Sequence, residues 1–172
     1  MAMPALAWSG PAERPRKAEG MDEKVSVDLV VSFENGGSGE AVLTLKDGTI
    51  CRIDRTNRRF NVWSDIIKKK QAASAPLYVA CGAATGQLTT LLLPALRQVV
   101  SVAPQADRLN VQFLMSPSVY FVRTSRPGYA EMKRTLEAAA KSREPVLVTD
   151  DVKEPEILDV RQPPPGLKMP VI

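Results

Sequence analysis

The stretch Cys51–Ile67, CRIDRTNRRFNVWSDII, decides how this chain is read. It opens as the end of a strand (Thr49–Asp54) and closes as a helix. Phe60, Trp63 and Ile67 fall at spacing 0, 3 and 7, the stripe of one helix face. Sixty-nine residues later comes YFVRTSRPGYAEMKRTL (120–136), where Tyr129, Met132 and Leu136 repeat that stripe.

The same offset, taken without gaps, relates much of what surrounds the two stretches. Val30-Val31-Ser32 corresponds to Val99-Val100-Ser101, and Val42 and Leu45 to Val111 and Leu114. Ile50 and Ile53 correspond to Val119 and Val122, Leu88 and Leu91 to Ile157 and Val160, and Pro94 to Pro163. Identities are few, so the apolar pattern carries the inference of an internal duplication.

Each copy reads β-β-β-α-β-β. Strands are expected near 26–33, 40–45 and 49–54, a helix near 60–71, and a hairpin of 76–81 with 87–93. The second copy repeats this at 99–103, 108–114, 119–123, 128–141, 145–149 and 156–160. Lys46-Asp47-Gly48 carries a hairpin signal, replaced in the second copy by Ser116-Pro117-Ser118. Thr56 or Asn57, and Ser125 with Pro127, offer capping chemistry. The fold class is therefore α+β, mostly β, with two tandem units at 25–95 and 96–161. Each is expected as an OB-like small barrel or as an open sheet with one helix packed on it. Leu91-Leu92-Leu93 reads as a strand buried on both faces, at the junction between copies. Residues 1–24, with Trp8 and an alternative start at Met21, read as a flexible N-terminal tail. Residues 162–172, Pro-rich, read as a flexible C-terminal tail unlikely to pack.

Composition narrows the function. The 172 residues carry 23 Lys+Arg, 19 Asp+Glu and no histidine. Imidazole-based triads, dyads and metal sites are excluded, and with them the usual general base at neutral pH. Cys51 and Cys81 form no CxxC motif and read as reduced thiols of a cytosolic protein. No apolar run is long enough to cross a bilayer, and MAMPALAWSG lacks a basic n-region. The expected protein is soluble, cytoplasmic, free of membrane, metal and cofactor.

Several motifs invite chemistry. CGAATGQ (81–87) is one residue short of a phosphate-loop spacing and has Gln87 where lysine belongs, so it reads as a hairpin turn. Region 46–70 holds eight Lys+Arg against three Asp, a net +5. Its Arg52, Arg55, Arg58, Arg59, Lys68, Lys69 and Lys70, near Phe60 and Tyr78, could track the phosphates of a single strand while aromatic faces stack bases. A solvated helix end explains the triple lysine more simply. Segment 150–159 is acidic, a net −4, but lacks the spacing of a calcium loop; its acids read as turn residues. Ser116, Ser118 and Ser125 have no histidine to activate them.

Read together, 51–67, PLYVACGAATGQLTTLLLP (76–94), 120–139 and PVLVTDDVKEPEILDVR (145–161) resemble the N-terminal region of uncharacterised bacterial proteins that also carry a protein-glutaminase-like domain. The similarity spans roughly 25–161. It implies an accessory region: the catalytic Cys and His of that family lie in an acidic, tryptophan-containing stretch that nothing here matches, and Cys51 and Cys81 do not inherit that role. The expected function is thus a non-catalytic protein-interaction or regulatory, pro-region-like module with a protein partner. Single-stranded nucleic-acid binding through the seven basic residues is the alternative, and an enzyme comes last.

Overall fold

The computed structural model describes residues 23–37 and 39–172. The tail expected at the N-terminus, with Trp8 and Met21, lies outside the described residues, except that Glu23 and Lys24 already belong to the first strand. Twelve elements follow one another. They are β1 (Glu23–Asn35), β2 (Glu40–Leu45), β3 (Ile50–Asp54), α1 (Phe60–Ala72), β4 (Pro76–Gly82) and β5 (Leu88–Leu92), then β6 (Ala95–Pro104), β7 (Arg108–Phe113), β8 (Val119–Arg123), α2 (Tyr129–Ser142), β9 (Pro145–Asp150) and β10 (Ile157–Arg161).

They build two five-stranded antiparallel sheets of the same strand order, β3-β2-β1-β4-β5 and β8-β7-β6-β9-β10. In each, the central strand serves two partners in turn. Glu23–Leu29 of β1 pair with β4, and Val30–Asn35 pair with β2, after an irregularity at Val30/Ser32. The matching irregularity in β6 sits at Val99/Ser101, where the strand changes partner from β9 to β7. A bulge there increases local twist and bends the strand, so each sheet curls.

The curl brings the outer strands near each other without closing a barrel. β3 meets the β4–β5 turn through one bridge, Arg52 with Gln87, and β8 meets the β9–β10 turn through Phe121 with Glu156. Arg52 N donates to Gly86 O at 2.8 Å and Phe121 N to Pro155 O at 2.9 Å, and no ladder continues from either. These are open sheets, not OB barrels. The helix accounts for the opening: Trp63 and Ile67 of α1 fill the space among Leu43, Ile53, Leu77, Val79 and Leu88. Met132 and Leu136 of α2 do the same among Val99, Val111, Val122, Val148 and Ile157.

Two sequence expectations change. β2 and β7 do not align at offset 69. Ala41, Leu43 and Leu45 are buried, and their counterparts are Leu109, Val111 and Phe113, at offset 68. A one-residue slip exchanges a strand's faces, so the pairings of Val42 with Val111 and Leu45 with Leu114 fail, and Leu114 emerges exposed. The connection between β7 and β8 is one residue longer than that between β2 and β3. Nor do the expected caps form. The N-cap positions are Arg59 and Gly128, neither with a side-chain bond, while Asn57 Oδ1 accepts from Arg59 N at 2.9 Å, just outside the helix.

Cys51 and Cys81 are joined in a disulfide, with Cα atoms 6.0 Å apart, which overturns the reading as reduced thiols. The curl is the reason: β3 and β4 are not neighbours in the sheet, yet their inward faces share one core. Adding 69 to both positions gives Tyr120 and Asp150, and these are linked too, by Arg97. Its guanidinium lies 4.5 Å from the Tyr120 ring centroid and 3.2 Å from Asp150 Oδ1. A cation-centred clamp thus stands in the second unit where the first has a covalent one.

The remaining faces of the two sheets pack on one another. Along β4, Leu77, Val79 and Cys81 face α1, whereas Tyr78 and Ala80 join Val27, Leu96 and Leu147 in a cluster between the units. Leu92 packs partly on that cluster and Leu91 on the first core, but both are only half-buried and Leu93 is exposed, so the strand is not buried on both faces as expected. Leu167 and Met169 also pack there, Val171 bridges Leu96, and Ile172 N donates to Leu96 O at 2.9 Å. The Pro-rich C-terminus is therefore docked, because it covers apolar surface left at the seam.

Candidate functional site

The structure distributes the seven basic residues instead of lining them up. Arg55 and Lys68 flank a cleft of about 660 Å³ between the end of β1 and the outer side of α1. Arg59, its guanidinium 5.8 Å from the Trp63 ring centroid, borders a different cleft of about 650 Å³ between the two units, opposite Arg126 and Lys153. Lys70 edges a third, apolar recess of about 420 Å³ beside Leu93, Pro94 and Met169. Arg52 projects outward from β3, and exposed Arg58 and Lys69 line none of these three clefts. Among the described residues none of the seven is in a salt bridge. Of the aromatics named with them, Phe60 is shared between the first core and the first cleft, and Tyr78 faces the inter-unit cleft.

The acidic segment is consumed by arginines. Asp150 pairs with Arg97, and Glu154 with Arg123 at 3.1 Å. Buried Glu156 accepts from Arg123 Nε at 3.0 Å and from both Nε and Nη2 of Arg126. Asp159 accepts from Arg161 Nε at 2.9 Å. Burial pushes the Asp159 carboxyl above its ordinary pKa, Arg161 pulls against that, and the charge of Glu131 across a neighbouring cleft adds to it. The acids expected as solvated turn residues are thus mostly structural ion pairs. No group of three or more potential metal ligands occurs among the described residues. The 81–87 segment is the expected hairpin turn: Gly86 N donates to Gly82 O at 2.7 Å, and Gly86 takes φ 65°.

The turns joining β2 to β3 and β7 to β8 differ between the units. In the first, Asp47 accepts from Ser26 Oγ at 2.5 Å, from Thr49 N at 2.8 Å and from Thr49 Oγ1 at 3.1 Å. Partial burial pushes the Asp47 carboxyl up, but these hydrogen bonds, aided by Lys24, outweigh it and hold the pKa below 3.8. The second tip is apolar. Leu114 is 44 % and Met115 92 % exposed, and Met115 is held at φ 62°, whereas exposed Val119 is matched by Ile50 in the first unit. A bulky residue in that conformation at a turn is strained. The sequence reading missed this tip because it placed Leu114 inside the strand and the turn at Ser116-Pro117-Ser118; the signal was an apolar pair where the first copy has Lys46-Asp47.

No helix of the described residues is long and apolar enough to cross a membrane. The protein-family models, the curated proteins and the solved structures compared with this chain contain no match to it.

Proposed function

We propose that this chain is a non-catalytic protein-interaction module whose second unit docks the Leu114-Met115 tip into an apolar pocket of a protein partner. The exposure of Met115 on a strained turn carries this reading. An unbranched thioether side chain adapts to an irregular pocket and is over-used at binding surfaces. Placing it outside the core in an unfavourable conformation is a cost that a binding role explains. The polar turn at the corresponding place in the first unit is a built-in contrast.

Two features weigh against the other classes. Four of the seven basic residues, Arg55, Lys68, Arg59 and Lys70, are spread over three separate clefts and the other three border none of them, which does not favour the continuous cationic track of a single-strand binder. Four of the five acids of segment 150–159 are spent on arginines, and the chain has no histidine. The accessory role implied by the resemblance agrees with this.

We also read the two units as copies of one ancestral β-β-β-α-β-β element. Shared bulge positions and shared single bridges, at the same offset as the helix stripes, support that reading. The disulfide favours an oxidising compartment as the working environment over the cytoplasm expected from composition.

A photo-crosslinking amino acid at position 115, compared with one at position 48 of the polar tip, tests the docking reading in source cells. It predicts one discrete adduct from 115 and none from 48. Equal adducts from both positions, or none from either, would overturn it.

A further inference from the structure

The stretch of α1 that lines the β1–α1 cleft differs from the corresponding stretch of α2. In α2, Lys133 and Glu137 sit at the positions of Ser64 and Lys68 and join in an i,i+4 ion pair at 3.8 Å. In α1 that pair is gone. Ser64 is only 6 % exposed, lines the cleft, and its hydroxyl has no hydrogen-bond partner. A buried hydroxyl without a partner is uncommon and calls for an explanation such as a bound group.

Around it the cleft offers balanced chemistry. Phe33 and Phe60, both half-buried, supply an apolar floor. Arg55 and Lys68 bring two positive charges, and Glu34 and Asp65 two negative ones. Among the described residues these four form no salt bridge with each other or with anything else. Charges of both signs that line one cavity without pairing suit a ligand that carries both signs itself.

From this we infer that the β1–α1 cleft binds a small zwitterion of the α-amino-acid class, free or as a short peptide. Its carboxylate faces Arg55 and Lys68, its ammonium faces Glu34 and Asp65, and its apolar side chain rests on Phe33 and Phe60. Asn35 and Asn61, on the rim, suit the amide of a peptide. A nucleotide fits less well, since two carboxylates would lie beside its phosphate. This site is in the first unit and does not depend on the Met115 tip.

Calorimetric titration of the full chain with leucine, phenylalanine, leucyl-phenylalanine and its N-acetyl and C-amide derivatives tests the assignment. Saturable binding of the free zwitterions is expected, weakened roughly tenfold or more when either end is blocked, as expected for losing a charged hydrogen-bond partner. The dipeptide arm separates a peptide ligand from a free amino acid. Arg55→Gln/Lys68→Gln, both exposed, should abolish binding while the circular dichroism spectrum and melting temperature stay close to wild type. Ser64→Ala should weaken binding a few-fold. No saturable binding of any zwitterion at millimolar concentration, or binding indifferent to the double substitution, overturns the inference. So does binding of single-stranded DNA that needs Arg55 and Lys68.

Discussion

Reduction of Cys51–Cys81 is the perturbation whose consequence follows most directly from the geometry. The bridge closes a loop with a sequence separation of 30 residues and ties β3 to β4, strands that are not hydrogen-bonded to each other. In the chain-entropy treatment a loop of that length is worth about 3.6 kcal/mol at 25 °C. For a chain of this size that corresponds to a fall in melting temperature of about 7–14 °C. Both sulfurs are buried, and reduced thiols pack as small hydrophobes, so reduction should leave the core filled and act mainly on the unfolded state. Urea unfolding followed by Trp63 fluorescence, in a Trp8→Phe background so that only the first unit reports, reads this loss. Cys51→Ala/Cys81→Ala should match the reduced protein and no longer respond to reductant. A loss below about 1 kcal/mol would refute the loop-closure reasoning. Two titratable thiols in denatured, unreduced protein would remove the bridge itself.

The second unit should behave differently. Arg97→Leu strips Asp150 of its partner and the Tyr120 ring of its cation, and should cost about 3 kcal/mol in urea unfolding, in reductant or out of it. Met115→Gly relieves a left-handed φ at a bulky residue and should raise stability by up to about 1 kcal/mol while abolishing the adduct of a photo-crosslinker moved to position 116, a gain in stability at the expense of binding. Asp47 has a folded pKa held below the ordinary aspartate value, so its contribution is present above the unfolded pKa and is lost as pH falls through the lower folded one. Asp47→Asn should therefore flatten the acid limb of the stability profile below about pH 4, read as unfolding midpoints against pH.

Much of the architecture was legible in the chain because its signals are local. The 0, 3, 7 stripes of Phe60-Trp63-Ile67 and Tyr129-Met132-Leu136 placed both helices, and β3 and β5 recur at Val119–Arg123 and Ile157–Arg161 at the expected offset. What failed depends on non-local geometry. Whether the sheets close into barrels rests on how the bulges at Val30/Ser32 and Val99/Ser101 curl them against a helix, and no spacing encodes that. The bridge between Cys51 and Cys81 becomes apparent only once β3 folds over toward β4. The β7 slip was hidden because Val111 suits a strand in either register, and only burial assigns its face. The sequence could list the seven basic residues but not show that Arg55 and Lys68 share one cleft while Arg59 borders another, since that follows from how α1 packs on the sheet.

The docking claim is tested most directly by the oxidation rate of Met115. In purified protein this side chain is 92 % exposed and should convert to the sulfoxide quickly under peroxide, while buried Met132 should resist. In the source cells, peroxide footprinting read by mass spectrometry should show Met115 protected and Met132 unchanged. Equal oxidation of Met115 in cells and in purified protein would mean that the tip is not covered, and would contradict the proposed role.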